Sequence, residues 1–158
     1  MPDIAFRPVG RDDLPLLEDW LHHPEVARWW RGASAQLSGI AEDLDLPAMR
    51  QWLALVDDRP LAYAQIYPAH HWGAAHFADL PADALAIDCF AAPEGFGLGG
   101  LWLTALAERL LAEASVLVID PEPQNLRAIR AYEKAGFSGT ALRPAPDGIL
   151  ARVMTRHR

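Results

Sequence analysis

Apolar and polar positions alternate along "IAFRPV" (4–9), which predicts a first strand. The pattern turns helical in "RDDLPLLEDWLHH" (11–23), with Asp12 or Asp13 near the N-cap. Pro24 suits the first turn of a second, short helix, "PEVARWWRG", closing at Gly32. Residues 34–45 have an ambiguous pattern and read as helical. "MRQWLALVDDRPLAYAQIYPA" (49–69) has two apolar runs flanking "DDRP" and predicts a hairpin. Residues 69–84 have no clear period and predict a long loop or flap. "ALAIDCFAA" (84–92) predicts a fully buried strand interrupted by one charge, Asp88. A helix, "LGGLWLTALAERLLAEA" (98–114), and a strand, "SVLVID" (115–120), follow. "FSGTALR" and "ILARVMTR" are the last strands, joined by the turn "PAPDG". The order β-α-α-β-β-β-α-β-α-β-β predicts an α/β or α+β sheet with helices on both faces.

"DPEPQNLRAIRAYEKAGF" (120–137) predicts a stiff double-proline loop and then a helix. Asn125 is a good N-cap, and Gly136 suits the left-handed residue after the helix. Leu126, Ile129 and Tyr132 fall three apart on one face, so periodicity alone makes Tyr132 a core residue.

At 158 residues, 51% of them apolar, one domain with a real core is the expectation. Fourteen Lys and Arg against twenty-one Asp and Glu give −7, which argues against nucleic acid as the main partner and is compatible with a cationic small molecule. Cys89 is the sole cysteine, so no internal disulfide and no cysteine-based zinc site are expected. The histidines at 22, 23, 70, 71 and 76 match no zinc spacing, and no metal is expected. Without an apolar leader or a membrane-spanning run, a cytoplasmic protein is the expectation.

"PEGFGLGGLWL" lies between a buried strand and a helix. Gly95, Gly97, Gly99 and Gly100 clear room for bound phosphates near free N–H groups and the positive end of a helix dipole. Gly95, Gly97 and Gly100 also fit the dinucleotide fingerprint, with Asp120 as its ribose acid. The late position of the motif, and the "AAPE" between strand and glycines, rank that second.

Strand, Gly-x-Gly loop, long helix, strand, then Asn125, Ala128, Tyr132, Gly136 and Phe137 together resemble the coenzyme A half of the GNAT acetyltransferase superfamily. Within it, "LEDWL…VARWW" (17–30), "RPLAYAQIY" (59–67), "AID" (86–88) and "PDGILARVMTR" (146–156) are similar in order to the aminoglycoside 6'-N-acetyltransferases, so that the likeness spans nearly the whole chain. Glu94 departs from the pattern, because the superfamily usually opens this loop with Arg or Gln. A carboxylate beside a pyrophosphate is repulsive unless it points away.

The resemblance implies a single GNAT domain over residues 1–158, with a mixed, mostly antiparallel central sheet flanked by helices. It implies acetyl-CoA as cosubstrate, bound by Phe90, Ala91, Gly95, Phe96, Gly97, Gly99, Gly100, Asn125 and Ala128. Attack would be direct, in a ternary complex, on the thioester by a primary amine of a small polycationic acceptor, an aminoglycoside first. Asp88 and Asp120 would hold the ammonium and take its proton. For Asp120 the structural alternative is loop capping, and for Asp88 a buried hydrogen bond. Tyr132 would give the departing thiolate a proton while its ring still packs. Trp29, Trp30, Gln65, Tyr67 and Asp147 match substrate-side positions, with one tryptophan expected in the core. Another amine or hydroxylamine acceptor, such as a siderophore precursor, and a non-catalytic acyl-CoA-binding module are the alternatives. No nucleic acid or membrane partner is expected, and monomer and homodimer both stay open.

Overall fold

The computed structural model describes every residue, Met1–Arg158. Seven strands form one sheet in the order β1-β2-β3-β4-β5-β7-β6. They are β1 (Ile4–Pro8), β2 (Arg50–Val56), β3 (Arg59–Pro68), β4 (Leu85–Ala91), β5 (Val116–Ile119), β6 (Ser138–Pro144) and β7 (Leu150–His157). The helices are α1 (Leu14–His22), α2 (Pro24–Ala27), α3 (Ala33–Asp43), α4 (Gly99–Leu110) and α5 (Leu126–Lys134). The β4–β5 pair is parallel, while β1–β2, β5–β7 and β6–β7 are antiparallel. No helix is long and apolar enough to cross a membrane.

The chain divides into two compact units. The first comprises Met1–Gln65 with Cys89–Phe96, and the second Ile66–Asp88 with Gly97–Arg158.

In the first unit, Leu17, Leu21, Val26, Ile40, Leu53, Tyr63 and Phe90 form the core. Gln51 is buried among them. Its Nε2 donates to the Ile40 carbonyl at 3.0 Å and its Oε1 accepts from the Tyr63 hydroxyl, so α3 and β2 are joined by a satisfied polar link. The β2–β3 turn uses Asp57 and Asp58, both at positive φ (51° and 66°), the left-handed pair of a two-residue hairpin turn. Asp13 takes both guanidinium nitrogens of Arg7 at 2.8 Å and the Gly10 N–H at 2.8 Å, which fixes the entry to α1.

The second helix stops at Ala27, short of the expected Gly32. Beyond it the chain turns so that Trp30 meets Phe90 (ring centroids 4.9 Å) and Tyr63 (5.9 Å) edge-on. The Trp30 N–H still bonds to the Val26 carbonyl at 2.9 Å, so one last helical turn carries the indole, half-buried, onto the core.

In the second unit, Phe77, Ala69, Ala84, Ala86, Val116 and Val118 form a cluster, with Tyr67, Leu80 and Val153 packed against it. Residues 69–84 form a long loop, as the sequence predicts, and this loop is packed onto the cluster. A 3-10 turn at Ala75–Phe77 drives a fully buried phenylalanine into the cluster. In α5, Asn125 caps as expected, its side chain accepting from the Ala128 N–H at 3.4 Å. At the far end Gly136 has φ +90°, with Gly136 N–H to Glu133 carbonyl and Phe137 N–H to Tyr132 carbonyl, each at 3.0 Å. That is the Schellman arrangement. Ile129 and Tyr132 are buried, but Leu126 is 57% exposed, contrary to the expected three-residue row. Three residues turn a helix by about 300°, so such a row drifts by roughly 60° per step and the first member rotates out to solvent.

Candidate active site

The β4–β5 ladder is short, pairing Leu85 with Leu117 and Ala86 with Val118. Two residues on, the same register sets Asp88 level with Asp120, just past the paired stretch. Strand side chains alternate, so Asp88 shares a face with Ala86, and Asp120 continues the face of Val118. That face is the one covered by Phe77 and Tyr67. Both carboxylates thus emerge at the rim of a small apolar cluster, half-buried, under the 69–84 segment.

Each carboxylate meets a donor from this cover. The Tyr67 hydroxyl donates to Asp88. Burial, then the charges of Asp88 and Asp120, then this hydrogen bond, push the Tyr67 phenol far above its ordinary range, so it stays protonated. His76 reaches Asp120, with Nε2 2.8 Å from Oδ2. Trp72 packs edge-on against Tyr67 (5.1 Å) and His71 (4.5 Å), its indole largely in solvent. Two negative charges concentrated around one phenol make a site suited to an ammonium group, able to orient it and to accept its proton.

Gly99 and Gly100 open α4, which has no side-chain N-cap and no acid in its first turn. Such a start leaves amide donors and the positive dipole end for an anion. The glycines also have packing reasons. A Cβ on Gly99 would stand 3.0 Å from the Ala131 Cβ, and one on Gly100 3.0 Å from the Lys134 Cβ, so α4 and α5 cross closely here. Gly97 has φ +90° in open space, a purely conformational need. Tyr132 is buried in α5 and holds an interaction of its own.

The remaining expected residues have clear surroundings. In the first unit, the Phe90 ring is core, between Trp20, Trp30 and Tyr63. Ala91 ends β4, half-buried. The Gly95 Cα faces β3, where a Cβ would lie 2.5 Å from the Leu61 carbonyl oxygen. Phe96 packs edge-on to His23 at 6.3 Å, and Glu94 is exposed to solvent. Trp30 is the core member of the tryptophan pair, while Trp29 lies under the Arg28 guanidinium at 5.0 Å. The Gln65 side-chain amide lies 3.0 Å from the Tyr63 hydroxyl oxygen. In the second unit, Asp147 is exposed and caps its own turn, Oδ1 accepting from the Ile149 N–H at 3.0 Å. No three His, Cys, Asp or Glu side chains are grouped to hold a metal ion. His22, His23 and His70 bond instead to the Glu18 carbonyl, the Glu25 N–H and the Leu80 carbonyl. Sequence reasoning missed His76, whose signal was weak: one histidine beside one phenylalanine in a segment without period.

One short parallel pair among antiparallel neighbours, with carboxylates just beyond it and a glycine-rich, uncapped helix start nearby in sequence, defines a mixed α/β protein with an acidic site at a strand end and an anion-ready helix start. The chain belongs to the GNAT acetyltransferase family, whose domain profile matches residues 10–142. It is 33% identical to an aminoglycoside N(6')-acetyltransferase type 1 of Klebsiella pneumoniae, over 97% of this chain and 83% of the relative. The Serratia marcescens protein of the same description matches to the same extent. Among solved structures, AAC(6')-Ib in complex with Parmomycin and AcetylCoA superposes with a TM-score of 0.83 at 29% identity, covering 99% of this chain and 94% of that one.

Proposed function

We propose that this GNAT acetyltransferase moves the acetyl group of acetyl-CoA to a primary amine of a small polycationic acceptor, with the 6'-amino group of an aminoglycoside as first choice. The observation that carries the proposal is the pair of carboxylates level with one another past the β4–β5 ladder, ringed by Tyr67 and His76. The relatives named above, described as aminoglycoside N(6')-acetyltransferases, support the acceptor class. The cosubstrate fits the residues present. Gly97, Gly99 and Gly100 offer an uncapped helix start to a pyrophosphate, Asn125 and Ala128 open the neighbouring helix, and Glu94 is turned to solvent. Asp120 and Asp88 hold the acceptor's ammonium and take one proton, directly or through water. The neutral nitrogen then attacks the thioester carbonyl carbon; a C–N bond forms, the C–S bond breaks, the Tyr132 hydroxyl protonates the leaving thiolate, and the second proton shed by the acylated nitrogen returns to the Tyr132 phenolate through solvent. The chain works as one domain over residues 1–158, in the cytoplasm.

The test is thiol release from acetyl-CoA by the purified protein across a panel of aminoglycosides, polyamines and hydroxylamines. Turnover with aminoglycosides bearing a 6'-amine, lost with their 6'-hydroxyl analogues, is the expected outcome. Turnover only on another amine class overturns the acceptor assignment. Acetyl-CoA binding without turnover on any amine points to an acyl-CoA-binding module.

A further inference from the structure

We propose that His76 is a positioning residue for acetyl transfer, which fixes Asp120 so that one carboxylate oxygen is presented to the acceptor's ammonium. The proposal rests on Asp120 being the acceptor-binding carboxylate. His76 Nε2 lies 2.8 Å from Asp120 Oδ2 across 44 residues of sequence, with the His76 side chain 3% exposed and that of Asp120 20% exposed. The ring is clamped independently of the carboxylate. It stacks on Phe77, centroids 3.9 Å apart and planes 27° from parallel, and Phe77 is rooted in the cluster of Ala69, Ala86, Val116 and Val118. The second ring nitrogen, Nδ1, is buried and has no hydrogen-bond partner. With its hydrogen on Nε2, the ring donates to Asp120 and leaves Nδ1 as a bare acceptor; the other tautomer would bury an unpaired N–H and face a carboxylate with a lone pair.

Packing alone does not call for this side chain. A phenylalanine or methionine would stack on Phe77 as well, without an unpaired buried nitrogen. What the imidazole adds is one charge-assisted hydrogen bond to a carboxylate that has two torsions free to turn. With Oδ2 held by His76, the acceptor's ammonium is received on Oδ1. Tyr67 does the corresponding job for Asp88, so each carboxylate has its own clamp from the 66–84 segment.

The experiment is a kinetic double-mutant cycle on the full chain, with acetyl-CoA and an aminoglycoside bearing a 6'-amine. His76→Phe keeps the stack and removes the donor; His76→Gln keeps an amide donor at similar reach. His76→Phe is expected to lower kcat/KM for the acceptor by about tenfold, mostly through KM, and to leave the acetyl-CoA KM unchanged. His76→Gln should recover most of that loss. In an Asp120→Asn background His76→Phe should cost less than about twofold, because the partner it orients is already gone. Equal losses in both backgrounds would make His76 a fold residue and overturn the proposal, as would an unchanged acceptor kcat/KM in His76→Phe beside an impaired Asp120→Asn. An unimpaired Asp120→Asn would remove the underlying role of Asp120, and the positioning role with it. If His76→Phe does not fold, His76→Met supplies the donor-free arm of the same cycle.

Discussion

Gly95→Ala should destabilise the folded protein before any ligand is considered. The added Cβ would lie 2.5 Å from the Leu61 carbonyl oxygen. Carbon and oxygen rest at about 3.3 Å or more even in attractive C–H···O contacts, so the overlap is roughly 0.8 Å. The obstacle is backbone, inside the long strand β3, and cannot swing aside as a side-chain tip would. The same carbonyl accepts the Ala92 N–H at 2.9 Å, and Gly95 N–H donates to the Ala92 carbonyl at 2.8 Å. Moving the Pro93–Gly95 turn outward to relieve the clash stretches the first of these bonds. Overpacking costs about 1–3 kcal/mol, and a lost backbone hydrogen bond about 1 kcal/mol more. A total of roughly 2–4 kcal/mol is expected, read as a lower urea midpoint at unchanged m-value. Gly97→Ala is the control. It meets nothing within 4 Å and bears only the φ +90° conformation, which should cost roughly 1–2 kcal/mol. A Gly95→Ala midpoint equal to wild type would refute the close-approach explanation and leave this glycine to the ligand.

Tyr132→Phe should fold normally, because the ring still packs beside Ile129, and should lose about 10²-fold in single-turnover acetyl transfer if the hydroxyl protonates the thiolate. A wild-type single-turnover rate would return Tyr132 to a packing role. The Arg7 guanidinium, and then the Gly10 N–H, hold the Asp13 carboxyl below its ordinary value against partial desolvation. A carboxyl depressed in the fold contributes stability that is complete above the unfolded-state value and is lost as pH falls. Arg7 is 47% exposed, so the contribution is screened to roughly 1 kcal/mol. The stability gap between wild type and Asp13→Asn, measured by urea melts, should be full above about pH 5 and shrink below about pH 4; a gap that grows towards acid pH would contradict the assignment.

Much of the architecture was legible because local rules and the fold agree. Asn125 caps, Gly136 is left-handed, and the two-residue turn at Asp57–Asp58 joins two apolar runs. Asp88 was visible as one charge in an apolar strand. Other features were not readable from local pattern. His76 meets Asp120 only after the sheet brings 44 residues of separation together, and no period marks it. Leu126 obeys a spacing of three yet faces solvent, because the spacing drifts around the helix. The glycine cluster read as one phosphate device, but pattern alone did not show that Gly95, Gly97, Gly99 and Gly100 also answer, one by one, to a carbonyl, a dihedral and two helix contacts. Sequence shows that a side chain is missing, but not which neighbour required the space.

The outer strand β6 has a consequence for storage and expression. An outer strand offers a row of unpaired amides to any other chain in extended form, and flat outer strands seed fibrils. Here the row is broken. The β6–β7 register slips between Ser138 and Ala141, Gly139 sits at φ +139° with its Cα against the Val153 carbonyl, and Pro144 closes the strand without an N–H. Leu142, Ile149 and Leu150 are exposed around this hairpin, the composition that would favour stacking if the strand were straight. The slip and the proline interrupt the ladder that an incoming strand would need, which makes this edge a poor template for strand addition.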